Sequence, residues 1–187
     1  VFKILVIIGR FILDFIETIV TALVLFVIIY LFLFQPHQVK GSSMQPNFEN
    51  GEYLLTNKIT YRFNQPQRGD IVIFKAPPKQ EYDYIKRIIG LPGDQVSLQK
   101  GKLFINGSLL DETSYLPQDT FTSEGHFLPE GKEITVPEKQ YFVVGDNRLH
   151  SSDSRDWGYI MTGDIVGKAW LRYWPADKFG FIPTIAR

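Results

Sequence analysis

The chain has no cysteine. That single absence excludes disulfide staples, thiolate catalysis and zinc–thiolate sites. Histidine is scarce as well: His37, His126 and His150 are the only three, and they stand far apart in the sequence. His150 directly precedes Ser151, but no motif places a histidine to activate a serine nucleophile, so a His-based catalytic pair has little to start from. An excess of either charge is also lacking, with 20 basic residues balanced by 20 acidic ones. Nucleic-acid phosphates select for a basic excess, so the composition argues against that class of partner. There are no internal repeats or low-complexity tracts, and no stretch of helical period and useful length follows Pro36.

What the chain does have is one long apolar run. Residues 15–34 read FIETIVTALVLFVIIYLFLF and carry no charge from Ile19 onward. As a helix rising 1.5 Å per residue, about twenty such residues span a hydrocarbon core of roughly 30 Å. The preceding 1–14, VFKILVIIGRFILD, is apolar but carries Lys3, Arg10 and Asp14. It is expected either to lie along the membrane surface or to extend the spanning helix inward. A removable leader would have a shorter apolar region ending in a small-residue cleavage site, and FLFQPHQVKG offers none. The expectation is an uncleaved, single-pass anchor over 1–36. Lys3 and Arg10 precede the span while Lys40 follows it, which places the N-terminus in the cytoplasm and residues 37–187 outside it, on the cell membrane.

Beyond Val39 the pattern changes to short strands and turns. YLLTNKITY, DIVIFKAP, DYIKRIIG, QVSLQKGKLFING, KEITVPEKQYFVVGD and DIVGKAWLRYW are rich in β-branched and aromatic residues. Turn sequences such as QPQRGD, GLPGD and INGS separate them, and LQKGKLFINGSLL reads as a meander of two tight hairpins. The fold class is therefore mainly β: an antiparallel sheet domain behind one transmembrane helix. A loop or small inserted lobe is expected at about 100–140, around the polar stretch from Asp111 to Lys132.

Four segments hold residues that packing does not readily explain. In Gly41-Ser42-Ser43-Met44-Gln45-Pro46, small residues form a constrained turn whose amides can approach a ligand, although a polar turn after the anchor would look the same. In the strand Tyr84-Ile85-Lys86-Arg87-Ile88, a period of two puts Lys86 on one face with Tyr84 and Ile88. An exposed strand lysine fits that pattern. So does a buried one, whose desolvated ammonium loses its proton more easily and can accept one from serine. Arg68-Gly69-Asp70 reads as a turn entering a buried strand. The run Gly145-Asp146-Asn147-Arg148-Leu149-His150-Ser151-Ser152-Asp153-Ser154-Arg155 is dense in hydrogen-bonding side chains directly after the apolar YFVV. A calcium loop using Asp146, Asp153 and Asp156 is the alternative there, opposed by the interspersed arginines.

In this order, GSSMQP, RGDIVIF, YIKRIIGLPGD and GDNR–SSDSR–WG behind an apolar anchor resemble the successive sequence boxes of bacterial type I signal peptidases. The resemblance implies a membrane-anchored serine endopeptidase with a Ser–Lys dyad and the fold of the self-cleaving repressor proteases. Its substrates would be signal peptides of exported preproteins, cut after small residues, with no cofactor and no metal. The lipid bilayer and the secretion translocon are the other expected partners. It implies Ser43 as nucleophile, Lys86 as general base, Ser151 orienting the lysine amine, and Asp153 with Arg155 as an ion pair supporting the site. Gly145 would let the backbone pass close to the lysine. The backbone N–H groups of Ser43 and Ser42 are the expected oxyanion donors, since Gly41 stands where many members carry a second hydroxyl. Val39, Phe48, Tyr84 and Ile85 are the expected lining of shallow apolar pockets. A self-cleaving repressor would bring a DNA-binding helical domain instead of an anchor, and a non-enzymatic tethered β domain would not need Ser43 and Lys86 together.

Overall fold

The computed structural model describes residues 2–77 and 79–184. Helix α1 runs from Phe2 to Ile28, widens into a π turn over Ile29–Leu33, and gives way to strand β1, Phe34–Gln38. Helix α1 is continuous from Phe2 through the apolar run, so the stretch before residue 15 belongs to the same helix. Its Ile7–Ile28 stretch is long and apolar enough to cross a membrane, and none of the described residues covers it. Helical backbone ends one residue earlier than expected, because Phe34 already pairs with Asn57 across the sheet.

Two antiparallel sheets follow. The larger has eight strands in the order β1, β2 (Tyr53–Asn57), β11 (Ile165–Trp174), β3 (Ile71–Ala76), β4 (Lys79–Gly90), β9 (Gln140–Val144) and β10 (Ile160–Met161), with β12 (Gly180–Phe181) also on β11. Pro36 has no N–H to give to a ladder, and β1 sits at the edge, where only one side must be paired. Strand β3 is central and buried along nearly its whole length. The expected strand over YLLTNKITY stops at Asn57. The Asn57 side-chain oxygen accepts from the N–H groups of Ile59 and Thr60, and this turns the chain into the short helix α2, Thr60–Phe63.

The smaller sheet is β7 (Ser108–Leu109), β6 (Lys102–Ile105), β5 (Gln95–Gln99) and β8 (Glu133–Thr135). Its two hairpins turn at Lys100-Gly101 and Asn106-Gly107, all four with positive φ, as the type I′ turn requires. Its inner face does not close on itself. Val96, Leu98, Leu103, Ile105 and Ile134 share one core with Ile89, Phe142 and Val144 of the larger sheet. At Gly90 the two layers touch so closely that a Cβ would lie 2.9 Å from the side chains of Val96 and Val136. Two further cores flank the central strands. One joins Val39, Met44, Phe48, Leu54, Ile71 and Ala169; the other joins Val72, Phe74, Ile88, Tyr141, Val143 and Ile160.

Candidate active site

Ser43 stands in the turn that links β1 to β2. Two residues anchor that turn from below: Met44 and Phe48 are both buried in the core beside Val39 and Leu54. The Gly41 N–H donates to the Asn50 side chain at 2.9 Å, and the Gln45 N–H donates to Ser42 C=O at 3.1 Å. With its neighbours pinned, Ser43 stays partly open to solvent. Lys86 comes from the middle of β4, opposite Val72, and is only 3% exposed. Its Nζ lies 2.7 Å from Ser43 Oγ, donates to Ile85 C=O at 3.0 Å, and sits 5.4 Å from the Tyr84 ring centre. Burial disfavours the ammonium and lowers its pKa to about 8, against the opposing pull of the Asp153 and Asp146 carboxylates.

The polar run 145–155 is folded around this pair. The Asn147 N–H donates to Ser43 C=O at 3.0 Å and its side chain donates to Ser42 C=O at 3.1 Å, so one residue grips the Ser43 turn twice. Asp153 and Arg155 form a fully buried ion pair at 2.8 Å. Asp153 also accepts from the Gly145 N–H and caps the short helix α3, Ser154–Trp157. Arg155 then donates to the carbonyls of Ser123, Arg148 and Ser151, which ties the loop ends together. Asp146 is engaged just as fully: Arg87 donates to its two oxygens at 2.8 and 2.6 Å, and Asn47 adds a third bond at 2.8 Å. Asp146 and Asp153 thus each spend their charge on an arginine, unlike carboxylates gathered around calcium. Among the described residues no group of three or more acids or histidines is arranged to hold a metal ion.

A groove of about 470 Å³ opens beside Ser43 and Lys86. Val39, Leu54, Ile73, Tyr84 and Ile85 give it apolar walls, while His37, Lys40 and Asp83 stand among its polar ones. A serine hydroxyl next to a buried, easily neutralised amine, at the edge of an apolar groove, is an arrangement for attack on an acyl carbon.

The family model of signal peptidases, peptidase S26, matches residues 12–174. The chain belongs to this family. It is 40% identical over 157 residues to a signal peptidase I of Bacillus caldolyticus, covering 81% of this chain and 85% of that one. Signal peptidase I P of Bacillus subtilis subsp. natto is 39% identical over 171 residues, 89% of this chain and 91% of its own. Signal peptidase IB of Staphylococcus aureus is 35% identical over 182 residues, covering 90% and 94%. A crystal structure of a signal peptidase I from Enterococcus faecalis aligns with 56% of this chain and 97% of its own, at 32% identity and a TM-score of 0.46.

In this family member the structure brings together Ser43, Lys86, Gly145, Asp153 and Arg155, and it corrects three details of the sequence reading. Phe48 does not line the groove. It lies beneath it, 2% exposed, with the Arg172 guanidinium 4.9 Å from its ring centre. Ser151 Oγ makes no hydrogen bond to Lys86; it is buried without a partner among the described residues. Gly145 makes room for the Ser43 turn and Ser151 rather than for the lysine. A Cβ there would fall 2.5 Å from Ser43 C=O and 2.1 Å from Ser151 Oγ. Replacing Gly145 with alanine should therefore displace Ser43 while leaving the sheets intact. Misplacement of about 1 Å can cost roughly 100-fold in rate, so kcat/KM should fall by about that factor with an unchanged circular dichroism spectrum. Arg87, Asn47 and Asn147 were not singled out from sequence. The basic Arg87 directly after Lys86 was the available signal, but its partner Asp146 is remote in the chain.

Proposed function

We propose that Ser43 is the nucleophile and Lys86 the general base with which this serine endopeptidase cleaves signal peptides from preproteins. The observation that carries the assignment is the 2.7 Å approach of Nζ to Oγ, at a lysine whose burial lowers its pKa to about 8. A neutral amine takes the Ser43 proton as Oγ bonds to the substrate carbonyl carbon. The ammonium so formed gives that proton to the leaving amine nitrogen as the peptide bond breaks. The acyl group left on Oγ is then released by water, which loses its proton to the same amine, and the ammonium returns that proton to Ser43 Oγ as the ester bond breaks. Negative charge on the tetrahedral oxygen is met by the backbone N–H of Ser43, with that of Ser42 the neighbouring donor. Such a donor contributes about 3 kcal/mol in a comparable site.

The substrate lies extended in the groove, adding its backbone as a strand beside 38–40 and β4, with small side chains facing Val39, Tyr84 and Ile85. Asp153 and Arg155 hold the loop that grips the nucleophile turn, and Ser151 adjoins it. The chain divides at about residue 36 into the anchor and the peptidase domain. Phe34 and Ser43 are nine residues apart, at most about 30 Å of extended chain, so cleavage takes place near the bilayer surface. The catalytic domain faces away from the cytoplasm at the cell membrane, where the translocon delivers preproteins.

The dependence of kcat/KM on pH tests the base. Only neutral Lys86 can accept the proton, and its pKa is lowered, so activity should rise about tenfold per pH unit below about 8 and level off above it. A limb centred below 6.5 would assign the base instead to His37, the groove histidine whose burial lowers its own pKa.

A further inference from the structure

A second concavity, of about 260 Å³, lies at the foot of α2, on the side where the chain leaves its apolar helix. Its walls include Lys58, Tyr61, Arg62, Pro66 and Ile165, and among the described residues no carboxylate lines it. Two bonds fix its position relative to α1. The Lys58 N–H donates to the carbonyl of Leu33, the last residue of the π turn, at 2.9 Å. The Arg62 guanidinium lies 5.9 Å from the ring centre of Phe32, one residue further back in the apolar run. Asn57 pins the turn between them through the N–H groups of Ile59 and Thr60.

The charges there differ from those of the paired cations in the peptidase domain. Arg68 pairs with Asp94, Arg87 with Asp146, Arg148 with Glu112, Arg155 with Asp153, Lys168 with Asp70 and Arg172 with Glu52. Lys58 instead donates only to the neutral side chain of Gln35, at 3.3 Å, and Arg62 has no acidic partner among the described residues. Beside Arg62, Phe63 points out with 81% of its surface exposed. Two cations without counter-ions, a shallow cavity and a projecting apolar ring, all at the level where a membrane helix ends, match the phosphate and upper acyl region of one lipid.

We propose that Lys58 and Arg62 form a binding site for the phosphodiester of an anionic phospholipid, with Phe63 entering the acyl region beside it. The site rests on α1 being membrane-embedded and is independent of the catalytic assignment. It seats the peptidase domain at a fixed depth on a negatively charged leaflet.

The test uses the full chain in mild detergent, with phosphatidylglycerol or phosphatidylcholine added at equal concentration and retained lipid counted by native mass spectrometry. The wild-type chain should retain phosphatidylglycerol preferentially. The double variant Lys58→Gln, Arg62→Gln should retain it about 30-fold less, the combined contribution of two surface cations. A Lys100→Gln, Lys132→Gln chain, with the same loss of charge in the loops of the small sheet, should bind as wild type. Inorganic phosphate at about 10 mM, well above the lipid, should not displace it. Equal retention by wild type and the Lys58/Arg62 variant, equal retention of the two lipids, or displacement by inorganic phosphate would each overturn the proposal, the last by identifying a site for free anions. Because the readout is bound lipid, a failed Ser43–Lys86 assignment would leave it unchanged.

Discussion

Replacing Ser43 with alanine is expected to abolish preprotein cleavage, with kcat falling by on the order of 10⁵- to 10⁶-fold, while the fold persists. The size follows from the way a nucleophile and its base act as one unit: removing either member forfeits nearly the whole covalent route. The fold should persist because the change deletes one oxygen at a half-exposed position. What holds the turn is the burial of Met44 and Phe48 and the grip of Asn147 on backbone carbonyls, and none of these uses the Ser43 hydroxyl. The bond to Lys86 is lost, a net change of about 1 kcal/mol. Single-turnover cleavage assays with a thermal melt of the same sample check both halves. Cleavage within tenfold of wild type would remove Ser43 from the mechanism.

The companion substitution, Lys86→Met, should be equally inactive but more stable than wild type at neutral pH. The sign follows from proton counting. Lys86 has an ordinary pKa of 10.5, lowered to about 8 when folded. Between those values the unfolded chain binds more protons, so stability rises with pH across that window and the full penalty of burying the charge applies below about 8. The difference corresponds to about 3 kcal/mol, and methionine fills similar space without a charge. Part of that gain is lost with the bond to Ser43, leaving about 2 kcal/mol. The stability gap should be widest below pH 8 and close toward 10.5, as followed by urea denaturation at several pH values. A variant less stable than wild type throughout would mean that Asp146 and Asp153 hold the amine charged, contrary to the proposed role of Lys86 as base.

Much of this architecture is written locally. The apolar run specifies α1, and the Lys-Gly and Asn-Gly pairs specify the two hairpins of the small sheet. Alternation within YIKRII put Lys86 beside Tyr84, and the ring does lie near its ammonium. The stop at Asn57 was also readable, since an asparagine side chain readily accepts from backbone N–H groups two and three residues on and turns the chain. Other features depend on chain segments meeting across long separations. Nothing near Arg148 announces Glu112, and nothing near Arg87 announces the Tyr115 ring 3.9 Å from its guanidinium. Phe48 was misplaced for a related reason. It is close to Ser43 in sequence, but the intervening turn carries its ring inward, under the groove rather than into it. Strand order is likewise nonlocal, since β2 reaches its neighbour β11 only near the end of the chain.

The continuity from α1 through the π turn into β1 leaves no slack between the membrane helix and the sheet that carries the site. Five consecutive residue pairs with β2 begin at Phe34 itself. The peptidase domain is therefore leashed at nearly zero length, and its search for substrate loses a dimension. Encounters depend on how many preproteins share each patch of bilayer, since a short tether converts dilute solution into a high local concentration. Such an enzyme can tolerate weak side-chain recognition in its groove, because co-residence in the membrane performs much of the selection that a soluble protease must obtain from binding.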